Sequence, residues 1–231
     1  MYSKSVLPLM LLFLFASTTY GQQGDRQSAV VLDESVWVTF YDIPSRRFRA
    51  IRSAIFTRDF ESAARDLSLA ANYLSVEAER GATVLQAPLL GLVEQLRRLE
   101  ERLDNVTLEE LDALFGRTHW LLAQHYLGFA RNARDARNGR NASLYLWATT
   151  HHIERAILWS NVAVTREVYA TLEDLQELAG KLGNPETSAR AFRERPIVRA
   201  ENLLRNIGKQ IDRRVLLPLP QTDAAEPDPQ R

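Results

Sequence analysis

LQAPLLGLVEQLRRLEERL, residues 85–103, places leucine at 85, 89, 92, 96, 99 and 103. The steps alternate four and three, so one stripe of a helix is apolar while Arg97, Arg98, Glu101 and Arg102 fall outside it. Such a seam has to be buried against other helices, and the flanking sequence supplies them. Upstream, Phe60, Ala64, Leu67, Ala71, Leu74 and Ala78 form one stripe of a helix over about 60–80. A shorter helix precedes it, from Pro44 at a first-turn position to about Thr57. Downstream, Thr107-Leu108-Glu109-Glu110 is a capping box. It opens a long helix with Leu111, Leu114, Phe115, Thr118, Leu121, Leu122, His125, Phe129 and Ala133 on one face, broken at Asn138-Gly139.

The next stretch, from about Ala142 to Ala179, reads as a single helix ending at Gly180 or Gly183. Its first half is apolar on two faces, Tyr145, Thr149, His152, Ile153 and Ala156 on one and Leu144, Trp147, His151 and Leu158 on the other. A helix apolar all round belongs in the middle of a bundle. A last helix over 197–215 uses Ile197, Ala200, Leu204, Ile207 and Ile211. The fold class expected is therefore all-α, an antiparallel bundle of about six helices spanning 44–216. A Pro-rich tail over 217–231 is expected to be disordered.

Lys4 is the only charge in the first 21 residues, and Val6–Ala16 is apolar, followed by Thr19-Tyr20-Gly21. This reads as a signal peptide cleaved near Gly21, and it places the protein in the periplasm or outside the cell. The alternative, a membrane anchor, needs about 20 apolar residues. Val36-Trp37-Val38-Thr39-Phe40 is β-branched and aromatic, so residues 22–43 are expected to form an extended arm over the bundle, or a strand exchanged between protomers.

Twenty-nine basic and twenty-nine acidic residues give no global charge with which to hold nucleic acid. The absence of cysteine excludes disulfides, thiolate metal sites and a lipoprotein anchor. No phosphate loop, nucleophile elbow or His-Glu-x-x-His pair is present, so no catalytic residue is assigned.

An offset of 79 aligns Ala50–Leu74 with Phe129–Ile153, pairing Arg58 with Arg137, Ala63 with Ala142 and Leu67 with Leu146. Each copy reads helix, polar turn, helix. The turn Arg58-Asp59-Phe60-Glu61-Ser62-Ala63 is similar to that of tetratricopeptide-type hairpins. Over Arg47–Leu74, and again over Tyr126–Trp159, the chain resembles the repeated hairpin of the small periplasmic YfdX family. That resemblance implies an envelope protein linked to stress and without enzymatic activity; a protein partner is expected. It supplies no functional residues.

Four histidines, His119, His125, His151 and His152, fall in one hairpin. A turn centred on Gly139 sets His125 level with His152, close enough to share a zinc, copper or nickel ion. Paired core imidazoles would equally make the hairpin sensitive to acid, and both could also be plain core residues satisfied by nearby hydroxyls. Arg131, Arg134 and Arg137 gather near a helix end, either as an anion or partner site or as cations favoured there by the helix dipole. The function expected is an interaction, scaffold or stress-protective role in the cell envelope. A metal-binding or pH-sensing bundle is the alternative.

Overall fold

The computed structural model of the chain describes residues 34–80, 85–193 and 196–216. The signal segment, residues 22–33 of the arm and the tail from 217 onward lie outside them. The protein is an all-α helical bundle, and no strand occurs among the described residues. In chain order the helices are α1 (Glu34–Trp37), α2 (Ile43–Phe56), α3 (Phe60–Arg80), α4 (Gln86–Glu100), α5 (Leu108–Asp135), α6 (Gly139–Ser160), α7 (Arg166–Gly183), α8 (Pro185–Ala191) and α9 (Pro196–Leu216). Short 3₁₀ turns occupy Val38–Phe40 and Leu103–Asn105.

The leucine seam of α4 is buried at Leu89, Leu92, Leu96 and Leu99 and packs chiefly on α3. The broadest interface joins α5 to α6, which also carries α7 on its flank, while α9 lies across α5 and α7. Gly116 brings α5 close to the end of α6, since a Cβ there would stand 2.0 Å from Ser160 Oγ.

The hairpins α2–α3 and α5–α6 are closed by the same turn, bond for bond. Asp59 N bonds Ala54 O at 2.8 Å and Arg58 N bonds Ile55 O at 3.1 Å; Asn138 N bonds Ala133 O at 2.8 Å and Arg137 N bonds Arg134 O at 2.9 Å. This is a Schellman closure, with Arg58 and Arg137 at φ of 59° and 55° where glycine is usual. The next residue caps the following helix in both, Asp59 accepting from Ser62 N and Asn138 from Asn141 N, each at 3.1 Å.

Three expectations are corrected. Residues 34–40 are helical, not an extended arm or strand. Burial of Val38 and anchoring of the Trp37 indole on α3 outweigh their β propensity. The helix expected over 142–179 is two: Asn161 turns left-handed at φ 47°, and Thr165 caps α7 by accepting from Val168 N. Asn161 tolerates that conformation because its short polar side chain bears it better than most. The second of the two ends at Gly183, one of the two ends expected, and Pro185 then starts α8 behind an Asn184 cap. The second face of α6 is also only partly covered, with Trp147 and Leu158 exposed.

At the α5–α9 contact, Trp120 Nε1 donates to Leu204 O at 2.7 Å, and its ring fills the space a Cβ at Gly208 would need, 2.4 Å away. Gly208→Ala is expected to destabilise the protein by about 1–3 kcal/mol despite alanine's better helix propensity. Chemical denaturation of the two proteins measures it.

Candidate functional site

The polar residues of the interior form two clusters that meet at Tyr126. The first surrounds Glu77. On α3 the inward residues Ala70 and Leu74 lead, in steps of four and three, to position 77, so a glutamate sits on the core stripe with its side chain fully buried. Oε1 accepts from Trp37 Nε1 at 2.7 Å, Tyr126 Oη at 2.6 Å and Arg80 Nη1 at 2.6 Å. Oε2 takes the same Arg80 nitrogen at 2.7 Å and His125 Nε2 at 3.1 Å. Because Tyr126 gives its proton to Glu77, Tyr73 Oη, 2.8 Å away, is the donor in the Tyr73–Tyr126 bond.

Burial pushes the Glu77 carboxyl up. The His125 hydrogen bond, the Arg80 charge and the Tyr126 hydroxyl outweigh it and hold the carboxyl below its usual range. Burial, with Glu77 nearby, raises the hydroxyls of Tyr73 and Tyr126 well above the usual phenol value. The Arg80 guanidinium lies 5.4 Å from both the Trp37 and Phe129 ring centroids, so its charge is caged by aromatic faces.

The second cluster is histidine on histidine. His119 Nδ1 and His152 Nδ1 stand 2.9 Å apart, both residues fully buried. One must donate and the other accept, so the two rings carry opposite tautomers. Their Nε2 atoms, and Nδ1 of His125, are buried without a hydrogen-bond partner among the described residues. Tyr126 stacks on His152 at 5.4 Å with an interplanar angle of 10°, which joins the clusters. His151, next along α6, bonds Ser45 Oγ at 2.6 Å through Nε2 and meets the Tyr41 ring edge-on at 5.1 Å. Phe48, stacked on Phe115, closes the far side of His119.

Burial lowers His119 and His152 well below the ordinary histidine value, and the other histidines and Arg155 lower them further. His151 is held at about 4 by burial, then by Arg155 and Arg49, against the opposing pull of Asp42.

The expected pairing is thereby redrawn. His125 takes Glu77, and His152 takes His119, which lies further from the α5–α6 turn than His125 does. Among the described residues no group of three or more histidine or acidic side chains is placed to hold a metal ion. Arg131 pairs with Glu201 at 3.3 Å and Arg134 with Asp135 at 3.2 Å, while Arg137 serves the turn. Thr107 caps α5 as expected, but Glu110 turns away to pair with Arg102.

The Glu77 cluster was missed in the sequence. The available signal was a glutamate on an otherwise apolar stripe, with an arginine one turn on. Neither a protein-family model, nor a curated protein, nor a solved structure matches this chain.

Glu77→Gln keeps the shape but leaves Arg80 without its counter-charge in a largely buried site. It is expected to lower stability by about 3–5 kcal/mol. Trp37→Phe, which keeps the ring and removes one donor to a charged acceptor, should cost about 1.5–3 kcal/mol. Urea titrations of both variants beside the parent protein check the order.

Proposed function

We propose that the chain is an exported, non-catalytic helical-bundle protein of the cell envelope, with an interaction, scaffold or stress-protective role, and that acid is the stress its core registers. The observation that carries this reading is the contact between His119, His152 and His151 in the interior. Glu77 is bonded by Trp37, Arg80, His125 and Tyr126, and His119 by His152, all of them inside the bundle. The open grooves, by contrast, are lined mainly by arginine and apolar side chains. The likeness of 47–74 to YfdX hairpins points the same way.

The sign follows from linkage. A histidine whose folded pKa lies below its unfolded value of about 6.5 lets the unfolded chain bind the proton first, so stability falls as pH drops through that window. For His151 the window runs from 6.5 down to about 4. For His119 and His152 it opens at the same upper edge. Each histidine held neutral removes about 1.4 kcal/mol per pH unit inside its window. Glu77, held low, loses its contribution only at more acid pH, and Glu154, raised by burial, works in the opposite direction. Tyr41, Asp42, Arg49, Tyr126 and Arg155 also face the cluster.

The melting temperature is expected to fall by on the order of 10 °C between pH 7 and pH 5. The drop should shrink in His151→Gln and shrink further in H119Q/H152Q. A flat profile in the parent protein sinks the reading, and amide hydrogen exchange of the parent at both pH values supplies the answer if the double variant fails to fold. Export is tested separately, by mass spectrometry of the envelope fraction: Gln22 is expected as the first residue, and a chain retaining Lys4 would exclude cleavage.

A further inference from the structure

We propose that the groove between α4 and α5 binds a carboxylate or phosphate group, presented free or on an apolar body. The groove encloses about 540 Å³, within the range of small-ligand sites. Three guanidinium groups line it: Arg98 from the last turn of α4, Arg102 just past its end, and Arg117 from α5. One carboxylate, Glu110, faces them, and Arg102 already engages both of its oxygens. Arg98 and Arg117 therefore line one groove with no anionic partner among the described residues.

Elsewhere in the molecule arginines are held either by carboxylates or by neutral oxygens, the latter at Arg49, Arg65 and Arg205. Arg46, Arg47, Arg52, Arg80, Arg97, Arg131 and Arg199 each lie against a carboxylate. Arg98 makes only an Nε bond to the Glu94 carbonyl, at 3.3 Å. Arg117 Nε is buried and has no acceptor among the described residues. The guanidinium fork matches the two oxygens of a carboxylate or phosphate, which makes arginine the fitting residue for such a group. Leu99 and Leu114 stand behind the arginines, so an alkyl segment attached to the anion has apolar wall to lie on. The histidines are not part of this cavity, and its occupancy does not depend on the acid response.

The test is isothermal titration of the purified protein at neutral pH and low salt with sodium octanoate, inorganic phosphate and 1-octanol, on the parent chain and on R98Q/R117Q. Octanoate or phosphate is expected to bind saturably at one site and to lose about tenfold or more in affinity in the double variant. The variant's circular dichroism and melting temperature should stay close to the parent's, because neither arginine holds a carboxylate. Tighter octanoate than phosphate assigns the site to anionic amphiphiles; equal affinity assigns it to the anionic group alone. No saturable binding of either anion, octanol binding as tightly as octanoate, or parent-like affinity in R98Q/R117Q would each overturn the proposal. Should the double variant melt early, the single Arg98→Gln chain, whose side chain is exposed, carries the comparison.

Discussion

A carboxylate placed where no water reaches it is the constraint around which this bundle is arranged. An ion of that kind is tolerated only when charge and hydrogen bonds surround it. Glu77 draws those partners from α1, α3 and α5: Trp37 from the first, Arg80 one turn along its own helix, and the adjacent pair His125 and Tyr126 from the third. These demands set how α5 must be rotated, since two consecutive residues both have to reach one carboxylate. They also hold the segment ahead of α2 onto the bundle, through the Trp37 indole.

The rotation of α5 has a second effect. With Tyr126 turned toward Glu77, its ring covers His152, and the imidazole of His119 meets His152 Nδ1. The charged cluster and the neutral one are thus set by a shared tyrosine. Their responses to protons differ because their surroundings differ. Glu77 sits among a cation and three donors, so its ionised form is favoured. The two histidines sit among aromatic rings, each other and an arginine, so their ionised forms are not.

Much of the fold was legible in the sequence, and the reason is periodicity. The bounds of α3 and the buried positions of α4 and α9 follow directly from apolar spacing. What was not legible depended on single residues whose effect is local. Asn161 splits one apparent helix in two because a left-handed residue leaves the apolar pattern on either side undisturbed. The histidine partners were misassigned because the α5–α6 hairpin closes earlier than Gly139, which moves the partner of His152 along α5 from His125 to His119. Only the Schellman bonds of Arg137 and Asn138 locate that turn. Glu77 was hidden because a lone glutamate near a helix end reads as a solvated charge unless its burial is known.

The opposite tautomers of His119 and His152 mean that the core holds one bridging proton in either of two equivalent-looking arrangements. In one, His119 donates through Nδ1 and His152 keeps its hydrogen on Nε2; in the other the assignments are exchanged. Passing between them also requires a proton to leave one Nε2 and reach the other, and neither buried Nε2 has a partner among the described residues to carry it. The interior of this bundle therefore holds an electric dipole whose direction stays fixed for as long as the helices remain closed over the pair.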